Sequence, residues 1–344
     1  MTSRVQQADD VPDELLVTQL EIISYEALRD GSEVEATKLF NACCHDGIFY
    51  LDMVGTEPDI LKAVDDIYAL EQGIFDLPEE ELMQYDIDVL SPRKLNGYKP
   101  IGRNRGELTG GKDGFQSYAL PKDGIVNLGP TDFKRPQVVD NHMRSLRTFS
   151  LAVSTAATTI LTSLSSTLKL SPLDSLQTSH CPYVASPNLI RLLKYAAQPL
   201  SERGSSHIPH TDLGSLTFLF TRQYGLQILG AESGAWEWVK PKAGYATVNL
   251  GDCLSLLTNK FLKSCRHRVN ALPGRAMEER YSFAYFLRPQ DETVMRALRS
   301  PLVSVGEVGE GEAESTSAEW MQRKYAMLRG ETWNEKSSWI LTGA

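Results

Sequence analysis

Cysteine is scarce in this chain and poorly spaced for its usual structural tasks. The five residues, Cys43, Cys44, Cys181, Cys253 and Cys265, contain no C-x-x-C pair. That excludes a zinc ribbon and fits reduced thiols better than a disulfide framework. No uninterrupted apolar run reaches about 18 residues, so no membrane-spanning helix is expected. The opening MTSRVQQADDVPDE is polar and lacks the apolar core of a secretory signal. Both absences lead to the expectation of a cytoplasmic protein. Basic residues form no cluster, and the net charge is −9, which argues against a nucleic-acid or anionic-membrane binder. Neither G-x-G-x-x-G nor G-x-x-x-x-G-K-[ST] occurs, so the common phosphate loops are excluded. No repeat at a period of about 20–50 residues is visible.

What is present divides into two textures. The N-terminal part is mainly helical. A strand is expected within Leu20–Tyr25, then a helix over 31–47 with Val34, Leu39 and Cys43 inward and Gly47 as its stop, then a strand at Ile48–Leu51. Residues 57–77 read as an amphipathic helix with Ile60, Leu61, Val64, Ile67, Tyr68 and Ile74 on one face, followed by a short helix over 78–86. Loops and short strands follow from Ser91 to Pro130, among them Phe115–Tyr118. A long helix is expected from Asp140, with Met143, Leu146, Leu151, Ile160 and Leu164 inward, ending before Pro172. After Pro187, strand-like runs alternate with turns: LIRLLKYA, LTFLFT, LQIL, WEWVK, ATVNLG, DCLSLLT, CRHRVNAL and YSFAYFL. Short strands at that spacing predict a sandwich, barrel or jelly roll, here mainly β with supporting helices. Residues 291–344 return to helix after an acidic Gly/Ser-rich segment. Trp333 and Trp339 are expected to pack the tail back on the body as a helical lid.

The chemistry concentrates between His207 and Ser282. Only six histidines occur. His210 and Asp212 form His-x-Asp, and on a strand residues i and i+2 share a face. His267 follows with 54 residues between it and Asp212. Two imidazoles and one carboxylate on one face leave octahedral positions open, the facial triad of non-haem iron(II) oxygenases. Arg280 and Ser282 repeat the i, i+2 spacing in an apolar strand, and a buried arginine requires an anion. Its parallel N–H donors match a carboxylate; an internal Asp or Glu is the plainer partner. On the strand alternation, Phe286 shares the face of Arg280 and is a candidate substrate wall. Gln116 and Tyr118 are candidates for the pocket mouth. His207, Asn249, Asp252 and His45 read as structural or surface residues.

These segments resemble the iron(II)- and 2-oxoglutarate-dependent dioxygenases of the isopenicillin N synthase-like superfamily over most of the chain. The similar stretches are IPHTDLGSLTFLF, YATVNLGDCLSLLTNKFLKSCRHRV, RYSFAYFLRP, RLLKY and, upstream, FNACCHDGIFYLD and FDLPEEELMQY. The stretch after Tyr195, Ala196-Ala197-Gln198, departs from plant members, and the chain looks most like fungal biosynthetic ones. The resemblance implies a distorted double-stranded β-helix braced by N- and C-terminal helices. It implies iron(II) at His210, Asp212 and His267, with 2-oxoglutarate held by Arg280 and Ser282 and contacted by Tyr195. Oxygen would be the co-reactant, and C–H oxidation of a small-molecule metabolite (hydroxylation, desaturation or ring closure) the outcome. The expected organisation is a single domain over 1–344. It comprises an N-terminal dioxygenase region at 16–130, the catalytic core at 185–290 and a C-terminal tail at 291–344. A monomer or weak homodimer is expected, with neither nucleic acid nor membrane as partner. The alternatives are a 2-oxoglutarate-independent iron oxidase of the isopenicillin N synthase type, a non-catalytic small-molecule binder and, lower, a zinc hydrolase.

Overall fold

Side-chain alternation on one strand sets out the architecture. Arg280–Leu287 is hydrogen-bonded along both edges, to Leu189–Tyr195 on one side and Leu216–Thr221 on the other. Its residues therefore point either to the cavity or to the helices outside. The computed structural model describes residues 15–54, 58–104, 112–128, 133–199, 207–303 and 315–328. Among these the strands are β1 (Ile22–Ser24), β2 (Ile48–Asp52), β3 (Gly97–Lys99), β4 (Phe115–Pro121), β5 (Leu189–Tyr195), β6 (His207–His210), β7 (Leu216–Thr221), β8 (Leu226–Leu229), β9 (Trp236–Trp238), β10 (Tyr245–Leu250), β11 (His267–Val269) and β12 (Arg280–Leu287). They form an eight-stranded sheet in the order β1-β2-β10-β7-β12-β5-β4-β3 and a four-stranded sheet in the order β6-β11-β8-β9. This is the expected jelly-roll core with bracing helices.

The outer face of the large sheet is an aromatic layer. Phe149 of the helix Met143–Thr167 lies 5.4 Å, ring to ring, from both Phe220 and Phe283. Tyr68 of the helix Pro58–Phe75 meets Phe283 edge-on at 5.1 Å. Burying each large side chain contributes about 1.5–3 kcal/mol, and each aromatic contact about 0.5–1.5 more. The helix Met143–Thr167 is long and apolar enough to cross a membrane, because Ser and Thr interrupt its apolar residues without making it polar. Here Phe149, Val153, Ile160 and Leu164 are fully buried against the sheet and its neighbours.

Several expectations shift. DCLSLLT is a helix, Asp252–Leu257, because Cys253, Leu254 and Leu257 recur at helical spacing and are the buried residues. Val34 is 68% and Leu151 42% exposed. Of the other expected inward residues, Leu39, Cys43, Leu146, Ile160 and Leu164 are buried, and Ala42, Phe149 and Val153 join their stripes. In the tail the described helix is Ser317–Leu328. Trp333, Trp339 and most of the acidic segment lie outside the described residues.

Gly47 ends the helix Glu33–His45, as the sequence predicts, and the turn needs it for two reasons. Its φ is +67°, and a Cβ there would stand 2.1 Å from the carbonyl oxygen of Lys263. Leu250 N–H also donates to the Gly47 carbonyl at 2.8 Å, so this turn anchors the end of β10. Gly47→Ala is expected to destabilise the fold by more than the roughly 1–2 kcal/mol of the left-handed backbone alone, measured by urea unfolding with an unchanged m-value.

Candidate active site

Strand pairing brings the two histidines together. His210 closes β6 and His267 opens β11, and the antiparallel register sets them directly opposite. Their ring centroids are 4.3 Å apart. Asp212 is not on the strand as expected: β6 stops at His210, and the carboxylate is carried on the loop that follows. That loop lies against the end of β10, where Asp252 N–H donates to the Asp212 carbonyl at 2.7 Å. The approach requires Gly251, since a Cβ there would sit 2.6 Å from the Asp212 carbonyl oxygen and 2.3 Å from that of Gly214. Asp212 Oδ1 is 3.9 Å from His210 Nε2 and 4.0 Å from His267 Nε2.

The donor set fits a metal ion. Nδ1 of His210 lies 2.7 Å from the Ile208 carbonyl oxygen, and Nδ1 of His267 3.1 Å from that of Cys265. A proton on each Nδ1 satisfies those carbonyls and leaves each Nε2 lone pair free. Burial, with the neighbouring His267, holds His210 down at about 4, so its imidazole is neutral. Burial alone would raise Asp212. The adjacent His267 and His210 and hydrogen bonds from Asn249 and Thr217 outweigh it and keep the carboxylate below its usual range. Thr217 Oγ1 donates to Asp212 Oδ2 at 2.6 Å and Asn249 Nδ2 at 2.9 Å. Thr217 on β7 and Asn249 on β10 are themselves a registered pair. They occupy Oδ2 and leave Oδ1 toward the two imidazoles. Asn249, read from the sequence as merely structural, is thus a ligand-orienting residue; its signal lay in the strand register, which no linear motif displays.

Arg280 and Ser282 are buried at the start of β12. The guanidinium donates to Thr221 Oγ1 at 2.9 Å and to Ser282 Oγ at 3.2 Å, and lies over the Tyr195 ring with its carbon 5.0 Å from the centroid. Among the described residues no carboxylate stands within 4.0 Å of it. The internal Asp or Glu that would have been the plainer partner is therefore not bonded to it. Glu71 is the buried acid nearby, accepting from Leu193 N–H at 2.8 Å. Burial pushes its carboxyl up to about 8 despite that bond and the charge of Arg280.

Triad, Arg280, Ser282 and Tyr195 all line one cavity of about 360 Å³ between the sheets. Phe286 lines it too. Gln116 and Tyr118 do not: Gln116 accepts from Tyr98 OH at 2.7 Å, and Tyr118 is fully buried in the core. The cavity-facing residues of β4 are Phe115 and Ser117, one position out of phase with the expectation. His207 is not a ligand but a wall residue, stacked 4.2 Å from His210 and tilted against Phe115 at 4.6 Å.

A jelly roll carrying two histidines and an aspartate on one face defines a non-haem iron(II) oxygenase. Residues 187–289 match the family model of the 2OG-Fe(II) oxygenase superfamily, and residues 20–131 that of the non-haem dioxygenase in morphine synthesis N-terminal region. The 2-oxoglutarate-dependent dioxygenase gloE of Glarea lozoyensis is 31% identical, covering 95% of this chain and 93% of its own. That named ecdG of Aspergillus rugulosus is 31% identical over 80% of this chain and 82% of its own. Among solved structures, a full-length Neurospora crassa protein in complex with alpha-KG superposes with a TM-score of 0.70 at 20% identity, covering 91% of this chain and 97% of that one. The chain belongs to the 2OG-Fe(II) oxygenase superfamily and is a 2-oxoglutarate-dependent dioxygenase with iron(II) and 2-oxoglutarate as its cofactors. The zinc-hydrolase, 2-oxoglutarate-independent and non-catalytic alternatives are set aside with that assignment.

Two outcomes follow from this geometry. Removing either donor to Oδ2, by Asn249→Ala or Thr217→Val, should weaken iron(II) affinity by about 10- to 100-fold, measured by anaerobic titration. Glu71, raised in the folded state, contributes stability that is full below its unfolded value and is lost as pH climbs through about 8. Glu71→Gln should therefore raise Tm more at pH 9 than at pH 5; an equal gain at both would contradict the shift.

Proposed function

We propose that His210, Asp212 and His267 bind the iron, and that Arg280 and Ser282 bind the distal carboxylate of 2-oxoglutarate with Tyr195 beside them. The protein would then oxidise a C–H bond of a small-molecule metabolite in fungal specialised metabolism. The carrying observation is Arg280: a buried guanidinium with no described carboxylate partner, opening into the cavity that holds the triad. A charge in that position is costly unless an anion completes it. A dicarboxylate reaching from the triad satisfies both ends at once.

Bound iron and 2-oxoglutarate supply, with O2, the oxidising equivalent, releasing succinate and CO2. The chain's own residues supply position and dryness. Arg280 and Ser282 fix one end of the cosubstrate, so that its 2-oxo acid end faces the metal ligands. Phe286, Leu193 and Phe115 make the cavity wall apolar, which orients substrate and excludes bulk water. Hydroxylation, desaturation and ring closure share this geometry and differ in the substrate held. A cytoplasmic chain acting as a single domain over 1–344, with 185–290 as catalytic core, completes the reading.

Arg280→Ala should raise the apparent 2-oxoglutarate constant by about 30-fold or more, from the roughly 2–5 kcal/mol lost when one partner of a buried charged pair is removed. Iron affinity should hold within about twofold, since Arg280 touches none of the three ligands. Equal effects on both constants would refute the assigned roles. Succinate formed in step with substrate loss is the accompanying check.

A further inference from the structure

Six cationic side chains line the cavity, and they fall into two groups. Lys99 pairs with Asp113, Arg103 with Asp86 and Asp88, and Lys94 with Asp88. Arg280, Arg191 and Arg288 have no carboxylate within 4.0 Å among the described residues. Arg280 is accounted for by the cosubstrate. The other two remain.

Arg191 lies on β5, opposite Ala284 of β12, whereas Arg280 lies opposite Tyr195 of β5. The two guanidiniums thus share the cavity face of the sheet, their levels separated by the span from Arg191 to Tyr195, about 13 Å along the strand. Arg288 follows β12 directly and is 3% exposed. Its guanidinium donates to the Pro187 carbonyl at 2.9 Å and to Tyr325 OH at 2.7 Å. Phe286 lies under both, with centroid distances of 5.4 Å to the Arg191 carbon and 5.9 Å to that of Arg288. Nε of each guanidinium has no hydrogen-bond partner. Two like charges held together in a low-dielectric wall with donors to spare are unfavourable until an anion joins them.

We propose that Arg191 and Arg288, with Tyr325 between them, form a second anion site, and that it takes a carboxylate of the organic substrate. The site lies at the end of the cavity away from Arg280. This rests on the reading that the cavity holds the substrate beside 2-oxoglutarate, and it narrows that substrate to an acid. Burial lowers Arg191 and the neighbouring Arg288 adds to this, and together they outweigh the opposing influence of Tyr325 and Asp212. Arg191 and Arg288 line the same cavity as the triad, so an anchored acid can present a carbon to it. The guanidinium fork and its free Nε suit a planar, bidentate carboxylate.

The test uses the full chain loaded with Mn(II) as an oxygen-inert metal and saturated with 2-oxoglutarate, which fills the Arg280 end. Acetate and benzoate serve as probes, each against its neutral amide, at matched ionic strength. A carboxylate should raise Tm above its amide by about 2 °C or more. That advantage should disappear in Arg191→Gln and shrink in Arg288→Gln, while stabilisation by 2-oxoglutarate is retained in both. If Arg191→Gln does not fold, Arg191→Met keeps the apolar stem. Neither acid exceeding its amide, or an advantage that persists in both variants, overturns the proposal. Failure of the cosubstrate reading looks different: 2-oxoglutarate would then fail to stabilise the wild type, or would stabilise Arg280→Ala equally. The acid–amide comparison would still be read in its absence.

Discussion

Strand β12 has hydrogen-bonded neighbours on both edges, so its eight residues have two destinations and strict alternation between them. Phe283 and Tyr285 go to the aromatic layer under the helix Met143–Thr167. Arg280, Ser282, Ala284 and Phe286 go to the cavity. A slip of one residue would drive the guanidinium into the ring cluster and Phe283 and Tyr285 into the cavity. The apolar layer is therefore what fixes the proposed cosubstrate site. Each ring contact of Phe149 with Phe283 and Phe220 contributes to stability and, by the same register, holds Arg280 facing the triad.

The metal set shows the same economy. Its ligands come from β6, from the loop after it and from β11, all belonging to or continuing the small sheet. The residues that orient Asp212 come from the large one. Thr217 and Asn249 reach across the cavity and occupy the carboxylate oxygen that the two imidazoles do not face. A donor set spanning both sheets keeps its geometry only while the sheets keep their separation. Backbone carbonyls of Ile208 and Cys265 do for the imidazoles what Thr217 and Asn249 do for Asp212. In each case hydrogen bonding on the far atom decides which atom remains for the ion.

Much of this was legible in the residue order, and the failures have physical reasons. His210, Asp212, His267, Arg280 and Ser282, which the structure brings to one cavity, stand out in the sequence because short motifs survive as linear patterns. The placement of Asp212 on a strand was wrong because His-x-Asp looks the same whether a strand continues or stops. The strand expected at Phe115–Tyr118 has the opposite phase because the observed strand, Phe115–Pro121, is buried on both faces, so alternation leaves no mark on its composition. DCLSLLT hid a helix inside a run of apolar residues too short to separate a period of two from one of 3.6. Val34 and Leu151 are apolar residues on exposed faces, which helices carry commonly. Asn249 was invisible because its partner is set by sheet register, a relation between residues far apart in the chain.

Charge balance in the cavity ties these parts together. Asp212 offsets one of the two charges of a bound iron(II), and both histidines are neutral as ligands. On the proposed binding mode, the two carboxylates of 2-oxoglutarate would offset the remaining metal charge and Arg280, leaving that end of the cavity neutral. Lys99, Lys94 and Arg103 are matched by Asp113, Asp86 and Asp88. What remains is the positive charge of Arg191 and Arg288, eased by Phe286 and Tyr325 but balanced by no described residue. Cation–π contact contributes about 0.5–2 kcal/mol, less than the several kcal/mol that a desolvated ion costs. A fold that retains such a deficit next to its oxidising centre is complementary to an anionic guest. The same deficit disfavours cationic substrates, because they would meet two unscreened guanidiniums on entering.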